Sequence, residues 1–289
     1  MSISIISEIG CNNAGSVQVA KNMITVLASY CGVDVVKFQK RSTRAMPDEL
    51  RNRPYPGMHS FGATYGEHRD ALEMSVDDHV ALKTFCEEKG VEYSCSVWDL
   101  RAARDIVQLN PKYIKIPSAC NLDFDMMQYL VDSYEGDIHL SLGMTTANER
   151  EKIRLFIQGT KCPERFVVYF CTSTYPCEFK DIYIRDLVIG KYWRADPGIK
   201  NYGFSGHHKG IAVDIAAVAL NAAYIERHFT LDRTSKGTDH AASLEPDGMR
   251  KLVRDIRNVE EAFDYRNIGL DDVLECELSA RKKMKTCLQ

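Results

Sequence analysis

The sequence lacks a large net charge. Its 289 residues include 37 lysines and arginines and 40 aspartates and glutamates, which gives a formal net charge of -3. A protein that binds nucleic acid or an anionic membrane surface usually needs a strongly basic face. We therefore expect neither nucleic acid nor a membrane as a partner. Any anionic ligand has to be held by a few local groups.

Long hydrophobic runs and paired cysteines are also lacking. The apolar N-terminus has no basic segment and is interrupted by Glu8, so it predicts a strand rather than a signal peptide. No run is long enough to cross a membrane. The ten cysteines are scattered without CxxC spacing, which disfavours a zinc site or a disulfide framework. The sequence therefore predicts a cytoplasmic protein with reduced thiols.

What the sequence does contain is a regular alternation of short β-branched runs with amphipathic stretches, the pattern of parallel βα units. The predicted strands are Ile3–Glu8, Val33–Phe38, Glu92–Cys95, Tyr113–Ile116, Ile138–Leu142, Phe166–Cys171, Gly203–Ser205 and Tyr224–His228. The predicted helices are Val17–Ser29, Val76–Lys89, Leu100–Gln108, Phe124–Ser133, Ala147–Gln158, Tyr183–Arg194, Ile211–Asn221 and Pro246–Ala262. Eight such units predict an α/β fold of the (β/α)8 TIM barrel type, since open doubly wound sheets more often stop at about five to seven strands.

The domain organisation predicted from this pattern is a catalytic barrel over residues 1–265 and a C-terminal helical tail or linker remnant over residues 266–289. The segment Arg41–Arg69 is too long for an ordinary connection. Its composition predicts a lid or an interface element, with a disordered surface loop as the alternative. The basic run Arg281–Lys285 predicts a solvated terminal helix.

Polar side chains stand at nearly every predicted strand end, where a barrel of this type builds its site. Two of them are the lysines Lys37 and Lys115, and several others are serines. Lysines among a ring of hydroxyls suit a phosphate ester, because ammonium groups neutralise it and hydroxyls donate to its oxygens. Taken singly, each lysine could equally extend toward a wet barrel mouth without binding anything.

His207 and His228 follow the ends of consecutive strands, so both imidazoles could reach one cation. Two imidazoles near a carboxylate suit a divalent transition metal better than magnesium. The alternative is a hydrogen-bonded histidine pair without metal. Glu8 ends the first strand, where it could orient His228 or move a proton. Its alternative role is to balance the charge of Lys37 or Lys115.

The order of these motifs resembles that of the sialic acid synthase family. The matching stretches are Glu8–Asn13, Val36–Gln39, Thr64–Arg69, Ile114–Ser118, Leu140–Met144, Cys171–Pro176, Phe204–His207, Ile225–Asp232 and Lys236–Pro246. They cover almost the whole chain, and the last two together are the most specific.

The resemblance implies a cytoplasmic enzyme that condenses phosphoenolpyruvate with the open-chain aldehyde of N-acetylmannosamine or a related hexosamine. The products would be a nine-carbon 2-keto-3-deoxy acid and phosphate, and the protein would be a homodimer. The implied catalytic residues are Glu8, Lys37, Lys115, His207 and His228, and the two histidines would bind Mn2+, with Mg2+ or Co2+ as other candidates. The implied substrate contacts are Lys37, Ser96, Ser118, Ser141, Ser173 and Ser205 for the phosphate, Lys115 for the enolpyruvyl end, and Gln39, Tyr175 and Asp239 for the sugar.

Two features depart from the family pattern. Family members usually continue into an antifreeze-like domain that supplies a sugar-contacting arginine across a dimer, and Glu277–Met284 resembles the segment just before that domain. Cys120 stands where the family often has a carboxylate. Both concern the sugar side, so a synthase of legionaminic, pseudaminic or deaminated sialic acid is an alternative. Outside this class, the alternative is a non-catalytic barrel that serves as a binding or assembly subunit.

Overall fold

The computed structural model describes residues 3–188, 190, 198–263 and 272–285. Eight parallel strands form a closed barrel in chain order. The strands are β1 (Ser4–Glu8), β2 (Val35–Lys40), β3 (Glu92–Val97), β4 (Tyr113–Ile116), β5 (Asp137–Ser141), β6 (Phe166–Phe170), β7 (Asn201–Gly206) and β8 (Tyr224–His228). The barrel closes where β1 pairs with β8, with Glu8 opposite His228. The predicted (β/α)8 barrel is confirmed.

Helices in the described residues surround the barrel. They are α1 (Val17–Val26), α2 (Asp48–Arg51), α3 (Tyr65–Leu72), α4 (Val76–Glu88), α5 (Leu100–Val107), α6 (Phe124–Ser133), α7 (Ala147–Gly159), α8 (Ala212–Ala219), α9 (Pro246–Phe263) and α10 (Glu275–Met284). Helix α4 begins where the sequence predicts it, because Ser75 and Asp78 form a capping box that satisfies exposed backbone N–H groups. The predicted helix Tyr183–Arg194 lies partly outside the described residues.

The hydrophobic core lies between the strands and the helices, where the barrel's outward-facing side chains pack. Phe38 of β2 stacks on Tyr93 of β3, with ring centroids 5.6 Å apart, and both rings contact His79 of α4. Alternate residues of the same strands point into the barrel, as the period of two requires. The strands therefore present apolar groups to the helices and can present polar groups to the interior.

The segment Arg41–Arg69 contains α2 and the beginning of α3. Its aromatic rings pack against one another, with the Tyr55 and His68 centroids 4.6 Å apart. Toward the loop after β8, the Lys236 ammonium lies 4.6 Å from the centroid of Phe61. The segment is thus held beside the barrel mouth, and its role as a lid or interface stays a prediction.

Beyond the barrel, helix α10 buries none of its side chains. None of the helices in the described residues is long and apolar enough to cross a membrane.

Candidate active site at the barrel mouth

A cavity of about 650 Å³ opens at the carboxyl ends of the strands. Of the thirteen site residues predicted from sequence, all except Asp239 line it. These twelve are Glu8, Lys37, Gln39, Ser96, Lys115, Ser118, Ser141, Ser173, Tyr175, Ser205, His207 and His228. The structure therefore brings together side chains that are up to 220 positions apart in the chain, from residue 8 to residue 228.

Two lysines and two glutamates form a buried charge cluster in the cavity. Lys115 Nζ donates to Glu226 Oε1 at 2.7 Å, and Lys37 Nζ lies 3.7 Å from Glu226 Oε2. Lys37 also donates to Glu8 and, at 2.6 Å, to Ser96 Oγ. Burial lowers the pKa of Lys37 to about 8, with the Glu226 carboxylate opposing this shift. Because these ammonium groups are already desolvated, they can bind an anion without first losing bound water.

The Glu226 carboxyl group is the centre of this cluster. Burial alone would raise its pKa, but the ammonium groups of Lys115 and Lys37 outweigh burial and hold the pKa well below its usual value. Glu226 is therefore a carboxylate at neutral pH, and its Oε2 atom accepts no hydrogen bond within the described chain. Burying charges is costly unless they are paired, and here the two carboxylates offset the charges of the two lysines.

Hydroxyl groups surround the lysines. Ser173 Oγ is buried and has no hydrogen-bond partner among the described residues. Gly143 provides the space beside it, because a Cβ atom there would lie 2.4 Å from Ser173 Oγ and 2.6 Å from Ser118 Oγ. Asn121 supports the same turn by donating to the carbonyl oxygens of Ser141 and Gly143, each at 3.0 Å. A buried hydroxyl without a partner, next to a glycine-lined space, is an arrangement suited to ligand oxygens.

The imidazoles of His207 and His228 face each other across the cavity, with ring centroids 5.6 Å apart. His207 Nδ1 lies 2.7 Å from the Thr172 carbonyl oxygen, so Nδ1 carries the proton and Nε2 keeps its lone pair. Burial, and secondly the charge of His228, lower the pKa of His207 to about 3. Burial also lowers the pKa of His228, although Asp239 opposes this. Both rings are therefore neutral at pH 7, which is the form that binds a metal.

No three histidine, cysteine or acidic side chains gather at metal-binding distance within the described part of the chain. The donor set is thus two neutral imidazoles, with Asp239 Oδ2 at 3.8 Å from His228 Nδ1. This set fits a divalent transition metal that takes its other ligands from substrate or water.

The carboxylate of Asp239 lies beside His228, and that of Glu8 does not. Although Glu8 is opposite His228 in the strand register, its carboxylate contacts Lys37 and, at 3.2 Å, Gln39 Nε2. This is the charge-balancing arrangement, one of the two roles that the sequence left open. Asp239, in the loop after β8, is the carboxylate beside His228.

The sequence analysis did not select Glu226 as a site residue. The signal was available, because Glu226 and His228 are two positions apart on β8 and a strand turns such residues to the same face. Cys120, which stands at the family's carboxylate position, donates its thiol to the Trp98 carbonyl oxygen at 3.2 Å and does not line the cavity.

The sequence is similar to those of several known proteins. Residues 23–267 match the NeuB family. The human N-acetylneuraminate-9-phosphate synthase is 37% identical over 281 residues, which cover 97% of this chain and 76% of the human protein. The N,N'-diacetyllegionaminic acid synthase of Legionella pneumophila is 30% identical over 268 residues, covering 90% of this chain and 73% of that protein.

A solved structure with the same fold is the N-acetylneuraminic acid synthetase of Leptospira borgpetersenii. It superposes with a TM-score of 0.78 at 24% identity, over 99% of this chain and 93% of that one. The match over residues 23–267 and the identity to the human synthase both exceed what a shared fold alone would give. The motifs of this sequence resemble those of sialic acid synthases, and the family match agrees with that resemblance. The chain belongs to the NeuB family.

Proposed function

We propose that this protein condenses phosphoenolpyruvate with the open-chain aldehyde of a hexosamine, N-acetylmannosamine or a close relative. A carbon–carbon bond forms between C3 of phosphoenolpyruvate and the aldehyde carbon, water adds at C2, and phosphate leaves. The product is a nine-carbon 2-keto-3-deoxy acid of the sialic type. The relatives' names support this, since they are synthases of such acids.

The observation that carries the proposal is the shared cavity. It places two ammonium groups and a ring of hydroxyls beside two neutral imidazoles. Phosphoenolpyruvate carries a phosphate and a carboxylate, which match Lys37 with its neighbouring serines and Lys115. Such contacts would hold C3 of the enol within about 3–3.5 Å of the aldehyde carbon, where reaction becomes effectively unimolecular.

The carboxylates of Glu8 and Glu226 would stabilise positive charge that develops during the same reaction. As the new bond forms, C2 of the enol ether develops positive charge, and fixed anions nearby stabilise that charge without reorganising. Glu226 suits this role because the lysines keep it ionised at neutral pH. The donor to the departing phosphate is the ammonium of Lys37, whose pKa of about 8 lets it lose and regain a proton near neutrality.

His207 and His228 would hold a divalent metal ion, with Mn2+ favoured over Mg2+ by nitrogen ligands and Co2+ also acceptable. When bound, such an ion polarises the aldehyde oxygen and so makes the carbonyl carbon more electrophilic. Tyr175 packs on both imidazoles, with centroids 4.2 Å from His207 and 5.5 Å from His228. This tyrosine limits the access of water to that side of the cavity, while Gln39 and Asp239 are the proposed sugar contacts.

A synthase assay tests this function. Purified protein with Mn2+ and phosphoenolpyruvate is incubated with N-acetylmannosamine, its 6-phosphate, and precursors of legionaminic and pseudaminic acid, and released phosphate is measured. Lys115→Met should abolish release, whereas Lys112→Met, which removes a surface lysine paired with Glu92, should not.

The outcomes of this assay separate the candidates. Release with a different acceptor sugar would assign another ulosonic acid. Tight binding of phosphoenolpyruvate without release for any acceptor would favour a non-catalytic binding barrel. The homodimer and the cytoplasmic location are also proposals. The nine cysteines in the described residues are free, which supports a reducing compartment, and a molar mass in solution tests the dimer.

A further inference from the structure

We propose that Arg227 is a positioning residue for the candidate metal site. Its guanidinium fixes the backbone that follows His207 relative to the strand that carries His228, and so sets the spacing of the two imidazoles. The inference rests on the proposed function and adds to it a residue that acts from outside the cavity. It starts from a buried charged cluster that the reaction described above does not use.

Arg227 is buried on the outer face of the barrel. It stands between Glu226 and His228 on β8, and since alternate residues of a strand point to opposite faces, it turns away from the cavity that those two residues line. Only 1% of its surface is exposed. The preceding outward-facing residue, Ile225, is apolar and fully buried. A cation at this depth is rare unless it has specific partners.

The partners of the guanidinium all lie after β7. Arg227 Nη1 donates to Asp214 Oδ2 of α8 at 2.5 Å and to the Gly210 carbonyl oxygen at 2.7 Å. Nη2 donates to the His208 carbonyl oxygen at 2.6 Å. His208 directly follows His207, so one side chain of β8 holds the backbone that leads away from the first imidazole.

The side chains around this cluster restrict it to one arrangement. The His208 ring contacts two aromatic rings, with centroids 5.9 Å from Phe179 and 6.1 Å from Phe204. Gly206 makes room for the cluster, because a Cβ atom there would lie 2.7 Å from Asp214 Oδ1 and 2.9 Å from His208 Cε1. The segment between β7 and α8 is therefore fixed by packing as well as by the guanidinium.

The energetics favour a positioning role over a purely stabilising one. Arg227 and Asp214 are both fully buried, and a buried ion pair often gives no more stability than apolar side chains of similar volume. Arg227 Nε, Asp214 Oδ1 and His208 Nδ1 also have no hydrogen-bond partner among the described residues, which costs further stability. What a planar guanidinium does provide is direction, because its donors bind only acceptors that are correctly placed.

The geometry of the two imidazoles depends on this contact. His207 Nδ1 donates to the Thr172 carbonyl oxygen, and Cys177 N donates to the His207 carbonyl oxygen at 2.8 Å. Both contacts tie His207 to the segment after β6. Arg227 supplies the tie to the strand of His228, whose ring centroid lies 5.6 Å from that of His207. A shift of more than roughly 0.2 Å between two ligands is enough to disturb a metal site.

The test measures the binding of Mn2+ alone to wild type and Arg227→Lys, from the electron paramagnetic resonance signal of the free ion. Lysine keeps the charge beside Asp214 but loses the planar group that holds both carbonyl oxygens. We expect the Kd for Mn2+ to rise by about ten- to hundredfold, the usual effect of removing a group that orients a metal ligand. With Co2+ as the probe, the d–d absorption spectrum should shift.

Two more variants separate positioning from general stability. Glu73→Gln is the matched control, because it disrupts the buried pair of Glu73 with Lys40 and contacts neither histidine. Its melting temperature without metal should fall, whereas its Kd for Mn2+ and its Co2+ spectrum should equal those of wild type. Asp214→Asn keeps the volume and weakens the hold on the guanidinium of Arg227, so its Kd should also rise, by a smaller factor than in Arg227→Lys.

Each outcome decides between the proposals. If wild type binds Mn2+ and a folded Arg227→Lys or Asp214→Asn variant binds it equally tightly, the positioning role is wrong and the metal site stands. An equal loss of affinity in Glu73→Gln would also overturn the positioning role, because lower stability alone would then explain the effect. If wild type binds neither Mn2+ nor Co2+, the metal site of the proposed function fails and the role of Arg227 fails with it.

Discussion

Replacement of Glu226 by glutamine should destabilise the barrel markedly. Glu226 accepts from Lys115 at 2.7 Å and from Ser205 at 3.1 Å, and it lies 3.7 Å from Lys37, with all these side chains buried. Removing one partner of a buried ion pair costs about 3–5 kcal/mol, because the remaining charge is left uncompensated. Glutamine keeps the shape and one accepting oxygen, so we expect the lower end of that range, about 3 kcal/mol.

Urea unfolding measures this loss, and the matched control is Glu92→Gln. Glu92 accepts from Lys112 at the same 2.7 Å, but the two side chains are 42% and 67% exposed. Pairs of this kind contribute about 0–1 kcal/mol. Phosphoenolpyruvate should narrow the gap between wild type and the Glu226 variant, since its anionic groups compensate the freed ammonium. Equal destabilisation by the two substitutions would refute the reasoning.

Three further predictions follow from single contacts. His207→Ala should abolish most Mn2+ binding, measured by metal analysis, while the melting temperature without metal changes little; unchanged metal content would contradict the ligand assignment. Burial lowers the pKa of His79 to about 3, so below pH 6.5 the unfolded state gains a proton that the folded state excludes. Stability should therefore fall by up to about 1.4 kcal/mol per pH unit as the pH drops toward 3, and His79→Gln should flatten that slope in urea titrations. Gly143→Ala should raise the KM for phosphoenolpyruvate about tenfold or more by crowding Ser118 and Ser173, with circular dichroism unchanged.

The fold could be predicted because each βα unit carries its own local signal. Ser75 with Asp78 marks the start of α4, and the run Tyr224–His228 is a strand in both the prediction and the structure. The boundaries of a strand differ from the predicted ones where tertiary contacts determine them. Strand β2 begins at Val35 rather than Val33, because Asp34 turns its carboxylate to the Ile5 amide at 2.7 Å and to Arg257.

The site was only partly predictable, because its charge balance depends on barrel closure. The end of the predicted second strand identified Lys37, and the family resemblance implied Gln39. Lys115 and its partner Glu226, in contrast, are 111 residues apart, and no local pattern joins them. Likewise, register puts Glu8 opposite His228, whereas side-chain reach decides that it binds Lys37 instead.

Beneath the lysines, the barrel is plugged by aromatic rings. The rings of Tyr113 and His139 stack with centroids 3.8 Å apart, and the Lys115 ammonium lies 4.2 Å from the centroid of the Tyr169 ring. Aromatic rings thus close the cavity on the side of the lysines. Under the proposed function, we expect phosphoenolpyruvate to bind at the lysines before the sugar fills the opening, and inorganic phosphate to leave after the nine-carbon product. The aromatic rings at the base of the barrel would then influence the order of substrate binding and product release, although they contact neither carbon of the new bond.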